Sequence, residues 1–334
     1  MSSRASHSTP DGAGVTRAAT ARIGVVLMTY GSPRYLDDIG AYLTRVRGGR
    51  APEPELLTEF RRRYALIGMS PLIPITHRQA ARLETALNRD AQDRPFRAVA
   101  GMRFSAPSIE DGVARLANAG VERVVGLVLS PQYSPILMSG YETALADAAR
   151  ARGVEHQMVG AWHLNQAFIR VLADRIRLKL AGYPAQIRDM VPVLLTAHSL
   201  PQRVVDREPG YVDQLKDTAE AVARVAGLAP ERWTFAYQSA GHTPEEWLKP
   251  DMLDVLPELA AAGHKHVLLA PVQFLADHLE TLYDIDHGGR EQAEEAGFES
   301  FARVPAPNDA RDFAAALADV VRTALDAERV PAAA

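Results

Sequence analysis

Two stretches decide the fold: VVLMTYGSP at residues 25–33 and PVLLTAHSLP at residues 192–201. Each is a short apolar run that ends on threonine and then turns through a small, serine-containing loop closed by proline. That is the signature of a buried strand and of the loop leaving its carboxyl end. A second echo comes later in each half, where GLVLSPQYSP (126–135) parallels HVLLAPVQFLADH (266–278), each strand breaking at a proline. Outward from these runs, β-branched apolar stretches alternate with amphipathic ones along the chain, the pattern of βα units and parallel sheets. Strands are expected at Ile23 to Met28, Phe96 to Met102, Arg123 to Leu129 and Gln157 to Ala161, then at Pro192 to Ala197, Thr234 to Gln238, His266 to Pro271 and Ser300 to Val304. Helices are expected at Ile75 to Asn88, Ile109 to Ala119, Tyr141 to Arg152, Gln166 to Ala181, Tyr211 to Ala226 and Asp309 to Leu325, with Asn165 and Asn308 as N-caps of two of them. The fold class is α/β, in two similar lobes of four parallel strands each. The first lobe covers residues 21–163 and takes back residues 305–334 as a returning C-terminal helix. The second covers 164–304, after a crossover near Trp162, and residues 1–20 read as a disordered tail.

The 334 residues are 47% apolar and 23% charged, enough for two domains with their own cores. Lys+Arg 37 against Asp+Glu 41 gives a net charge of -4, so the broad basic field of a nucleic-acid binder is missing. The chain contains no cysteine, which removes disulfides, thiolate zinc sites, a cysteine nucleophile and a cysteine-held iron–sulfur cluster. No apolar run reaches the roughly 18 residues that span a bilayer, and no export signal opens the chain. The expected compartment is the reducing cytoplasm.

In open α/β sheets, ligands bind outside the carboxyl ends of the strands. Tyr30, Tyr133, His198 and the segment Asp277 to Asp286 are therefore expected to face one cleft between the lobes. His198, directly after an apolar strand, is either hydrogen-bonded scaffolding or the working group of that cleft. In DHLETLYDID, a helical reading puts Asp277, Glu280 and Asp284 at i, i+3 and i+7, three carboxylates on one face. A solvated acidic face and a metal path or proton relay both fit, and Phe274, Leu275, Leu279 and Leu282 argue for partial burial. No H-E-x-x-H pair occurs, and His77, His163, His264 and His266 read as surface or capping residues. Nor does the chain hold G-x-G-x-x-G, G-x-x-x-x-G-K-[ST] or G-x-S-x-G, which argues against nicotinamide, ATP and serine-hydrolase chemistry. Residues 67–75, apolar and twice broken by proline, read as too irregular for a helix: a buried connector, or a pocket wall for a flat ligand. Arg47, Arg50, Arg61, Arg62 and Arg63 precede it, and arginine grips carboxylates bidentately.

Five motifs in order, TYGSP (29–33), IGMSPL (67–72), TAHSLP (196–201), YQSAGHTPEEWLKP (237–250) and FLADHLETLYDID (274–286), make the chain resemble the ferrochelatases from Ile23 to about Leu325. The resemblance implies two Rossmann-like lobes, each a four-stranded parallel sheet flanked by helices, and insertion of ferrous iron into a porphyrin. The family's catalytic His and Glu match His198 and Glu280. Branches acting on protoporphyrin usually carry an Asn-Leu-Gly or Asn-Met-Gly turn and a Gln-Ser-Arg-Phe-Gly motif. This chain reads Thr29-Tyr30-Gly31 and Gln238-Ser239-Ala240-Gly241, similar to the coproporphyrin ferrochelatases of Gram-positive bacteria, where the tyrosine approaches the product iron. The implied propionate contacts are Arg47, Ser70, Arg103 and Tyr141, with Arg50 near and Gly48 where a second basic residue is often found.

On that resemblance His198 is base or last iron ligand, Glu280 with Asp284 and Asp277 behind it carries protons or guides hydrated metal, and Tyr30 faces the metal. The implied metal set is His198, Glu280, Tyr30 and Asp284. Partners are coproporphyrin III and Fe²⁺ as substrates, plus a transient contact with a heme-handling enzyme. No permanently bound cofactor, no nucleic acid and no membrane span are expected, and the chain is expected as a monomer. The alternatives are a protoporphyrin IX ferrochelatase, a cobalt or nickel tetrapyrrole chelatase, and a porphyrin- or heme-binding protein without chemistry.

Overall fold

The computed structural model describes residues 23–89, 96–241 and 245–327. The expected N-terminal tail lies outside the described residues. Eight strands form two parallel sheets with the same order: β2–β1–β3–β4 and β6–β5–β7–β8. The strands are β1 (Ile23–Thr29), β2 (Phe96–Met102), β3 (Arg123–Val128), β4 (Glu155–Met158), β5 (Val193–His198), β6 (Trp233–Gln238), β7 (His266–Pro271) and β8 (Ser300–Arg303). In each sheet the chain runs to one side of the first strand and then crosses back to the other. The direction switches between β1 and β3 and again between β5 and β7, where parallel sheets leave a crevice.

The helices are α1 (Ile39–Val46), α2 (Pro54–Leu66), α3 (Leu72–Asn88), α4 (Ile109–Asn118), α5 (Pro135–Arg152), α6 (Gln166–Ala181), α7 (Ala185–Arg188), α8 (Gln202–Val205), α9 (Pro209–Ala226), α10 (Met252–Ala261), α11 (Arg290–Glu295) and α12 (Arg311–Ala327). A π-helix, Glu280–Gly289, runs directly into α11. Strand alternation sorts the apolar side chains into layers. Val25 and Leu27 of β1, with Val193 and Leu195 of β5, join one buried cluster that also takes in Leu83 of α3, Phe168 of α6, Val222 of α9 and Phe313 of α12. The alternate residues face outward, Val26 and Met28 onto α4 and α5, Leu194 and Leu269 onto α10. The last helix packs on α3 and α6.

Several boundaries differ from expectation. Strand β4 lies at Glu155–Met158, two residues early, because this edge strand carries no apolar run to mark it. The irregular stretch ends sooner than expected: α3 begins at Leu72, and Pro74 falls in its first turn, where the missing N–H costs nothing. Asn165 does cap α6, accepting from the Phe168 N–H at 3.0 Å. Asn308 does not cap a helix; with φ at +48° it turns its amide onto Asp277.

Phe313 is fully buried where α12 meets α3 and α6. Phe313→Ala should destabilise the chain by about 3–5 kcal/mol, read from urea unfolding. A loss below about 1 kcal/mol would show that α12 is not integral to the shared core.

Candidate active site

The carboxyl ends of β1, β2, β3, β5 and β7 surround a cavity of about 700 Å³, within the range of roughly 300–1,000 Å³ usual for small-molecule sites. Tyr30 follows β1 at a turn that Gly31 makes possible: its φ is +93°, and a Cβ there would sit 2.7 Å from Ser105 Oγ. The Tyr30 ring meets Phe104 edge-on at 4.6 Å. Arg103 and Phe104 continue the line of β2 by donating their N–H groups to the Thr29 and Tyr30 carbonyls at 2.9 and 3.0 Å.

From the other lobe come His198, at the end of β5, and Glu280, at the start of the π-helix, with His198 Nε2 and Glu280 Oε2 3.7 Å apart. His198 Nδ1 lies against the Ser199 carbonyl oxygen, which leaves Nε2 as the ring nitrogen facing Glu280. At 3.7 Å the two do not hydrogen-bond directly; a proton, a water or a metal fits between them. Phe274 stands edge-on to both His198 (6.4 Å) and His278 (4.5 Å). His278 Nδ1 accepts the Glu280 N–H at 3.1 Å, which fixes the first turn of the π-helix, and burial lowers the His278 pKa and keeps the ring neutral.

The charge of Glu280 is felt across the cavity. Burial raises the pKa of Tyr30, Tyr42 and Tyr64, and in each the Glu280 carboxylate adds to the rise, while Arg103 lowers that of Tyr30. These hydroxyls stay protonated at neutral pH. Arg103 places its guanidinium over the rings of Phe104 (4.9 Å) and Tyr141 (5.3 Å), and the absent side chain of Gly140 lets it lie there: a Cβ would be 2.1 Å from Arg103 Nη2.

Of the expected site residues, Tyr30, Ser70, Arg103, Tyr141, His198 and Glu280 line the cavity together. Arg47 does not; it lies just past the end of α1, outside the lining. Tyr133 is also outside: Gln214 of α9 grips its backbone through both N–H and carbonyl (2.8 and 3.0 Å), and its hydroxyl donates to Glu142 at 2.8 Å. The shared face of three carboxylates breaks up. Asp277 precedes the π-helix and is held by Arg303 (2.9 Å) and Asn308 (2.7 Å). Asp286 also pairs with Arg303, at 2.7 Å. Asp284 lies behind Glu280, off the lining, with Arg63 of α2 3.7 Å away. No cluster of three metal-ligating side chains occurs among the described residues. Gln273, Tyr211 and His278 line the cavity without having been singled out; a strand-end position carried the only signal for Gln273.

Known proteins narrow the class. SirB from Bacillus subtilis, a sirohydrochlorin chelatase, superimposes with a TM-score of 0.57 at 11% identity, over 92% of this chain and 98% of its own. The fold is therefore that of the two-lobed chelatases. A family profile described as Ferrochelatase matches residues 22–325. A ferrochelatase of Herpetosiphon aurantiacus is 39% identical over 90% of this chain and 99% of its own length. A coproporphyrin III ferrochelatase of Geobacillus kaustophilus is 38% identical over 89% and 94%. The chain belongs to the ferrochelatase family, enzymes that insert metal into a porphyrin. No helix among the described residues is long and apolar enough to cross a membrane.

Burial, with the neighbouring Glu280 charge adding to it, raises Asp284 to about 6. Because the folded-state pKa lies above the unfolded value, this group favours folding at low pH, and that contribution is lost as pH rises through about 6. Between pH 5 and 7.5, Asp284→Asn should gain about 1 kcal/mol on the wild type, measured by urea unfolding at both pH values. An offset independent of pH would contradict this.

Proposed function

We propose that the chain inserts ferrous iron into coproporphyrin III to give coproheme, with iron as substrate and no resident cofactor. The observation that carries the reading is the approach of His198 Nε2 to within 3.7 Å of Glu280 Oε2 on the wall of a cavity that Tyr30 lines from the other lobe. Metallation consumes Fe²⁺ and a metal-free ring and releases two pyrrole protons, with no change of oxidation state. His198 is suited to the proton step because it lines the cavity with Nε2 toward Glu280; as a neutral imidazole the same nitrogen can complete the coordination of incoming iron. Glu280 beside it takes the proton onward or neutralises the hydrated cation, and Asp284 behind it, poised near pH 6, can pass a proton toward the surface. Tyr30, kept protonated, faces the product iron from the first lobe. Arg103, with Ser70 and Tyr141, holds ring carboxylates. The guanidinium has no carboxylate partner among the described residues, so an anionic ligand side chain can occupy it.

Support for a ring with four propionates comes from the Tyr30 turn, from that cation, and from relatives such as the one in Geobacillus kaustophilus, named for coproporphyrin III. A single chain supplies the whole cavity, so a monomer is sufficient for the reaction; it is proposed to act in the cytoplasm, handing its product to a heme-handling enzyme by transient contact.

His198→Ala should lower turnover by at least roughly 10²-fold, the scale of a lost general base, with the fold intact by circular dichroism. Near-normal turnover would remove His198 from the mechanism. Arg103→Ala should weaken binding of coproporphyrin III more than that of protoporphyrin IX, by roughly tenfold for a lost charged contact, in fluorescence titrations of both rings. Equal losses would overturn the four-propionate reading.

A further inference from the structure

The β5 ladder is asymmetric at the point where it delivers His198. On the β6 side, pairing runs to the end of the strand, His198 against Gln238, and the Ser199 N–H still donates to the Gln238 carbonyl at 2.8 Å. On the β7 side, pairing stops at Thr196 against Pro271, with one further bond from the Val272 N–H to the Thr196 carbonyl at 2.9 Å. Alternation along a parallel strand points the His198 N–H toward β7. There the chain has already turned away, and no backbone carbonyl meets it. The side chain of Gln273 fills the gap: its Oε1 accepts the His198 N–H at 2.8 Å. Its Nε2 donates to the hydroxyl of Tyr211 at 2.6 Å, and Tyr211 is buried on α9. The His198 N–H, a donor only, requires Oε1 to face it, and the tyrosine ties down the other end of the amide. Both residues line the cavity.

From this we infer that Gln273 is a positioning residue for His198: a side-chain amide that stands in for the missing strand partner and, tethered by Tyr211, fixes the backbone from which the imidazole is aimed at Glu280. The inference rests on the role proposed for His198. Small displacements of a catalytic group can cost up to about 10² in rate, so the backbone anchor is where geometry converts into turnover. Gln273 itself carries no charge and takes no proton.

The test uses the full chain with Fe²⁺ and coproporphyrin III under anaerobic conditions. Gln273→Met keeps the volume and removes the acceptor. It should lower kcat roughly tenfold while KM for both substrates stays within about twofold. Gln273→Glu keeps an acceptor, since the Tyr211 hydroxyl can rotate to donate to the carboxylate, and should recover most of kcat. Tyr211→Phe removes the tether on Nε2 while the His198 N–H keeps its acceptor, and should lower kcat by a smaller factor. The double variant Tyr211→Phe/Gln273→Met should be no slower than Gln273→Met alone, and Tyr211→Phe stands as the test if Gln273→Met does not fold. Unchanged kcat in Gln273→Met, or equal kcat in the Met and Glu variants, overturns the inference while His198→Ala remains inactive. Near-normal turnover in His198→Ala overturns the role of His198, and this inference with it.

Discussion

The inner faces of the two sheets are buried in one apolar layer, not in two. Val25 and Leu27 of the first sheet and Val193 and Leu195 of the second belong to the same cluster, bridged by α3, α6, α9 and α12. Each such side chain contributes about 1.5–3 kcal/mol when fully buried, and the layer is close-packed, so the sheets cannot shift independently. The carboxyl ends of β1 and β3 are therefore held beside those of β5 and β7. The cavity is a consequence of that fixed juxtaposition, and its lining comes from segments more than two hundred residues apart in the chain, from Met28 to Glu280.

Within that frame, polar contacts select which groups remain available. Asp277 and Asp286 share Arg303 as ion-pair partner, and Asp284 is buried behind with Arg63 near it, so Glu280 is the one carboxylate among the described residues lining the cavity. Arg103 is its counterpart as the one guanidinium there. They belong to different lobes, Arg103 after β2 and Glu280 after β7. A ligand with a cationic centre and anionic edges meets complementary charge at both places. The cavity's tyrosines, raised in pKa by burial, add hydroxyls without adding charge.

Much of this was legible in the sequence because parallel strands buried on both faces are written as short apolar runs; β4, an edge strand with the sequence EHQM, carries no such run and is displaced from its expected place. The repeated turns after β1 and β5 located Tyr30 and His198. What escaped has physical reasons. The π-helix begins only at Glu280, so Asp277, three residues before it, lies outside the helical spacing that put it on one face with Glu280 and Asp284. Arg47, just past α1, and the arginines of α2 lie in a stretch for which no helix is expected from the sequence, so their positions could not be derived. Tyr133 occupied the same strand-end site as Tyr30, but a glutamine from α9, distant in sequence, claimed its backbone.

The central claim is that His198 with Glu280, and Tyr30 from the opposite lobe, enclose a tetrapyrrole between the sheets. A crystal structure of the chain with metal-free coproporphyrin III bound tests it most directly. The account predicts the ring inside the cavity, with His198 Nε2 over one face of the pyrrole nitrogens, the Tyr30 hydroxyl over the other, and a propionate on Arg103. A ring bound outside the cavity, or one with His198 and Tyr30 on the same face, would contradict it.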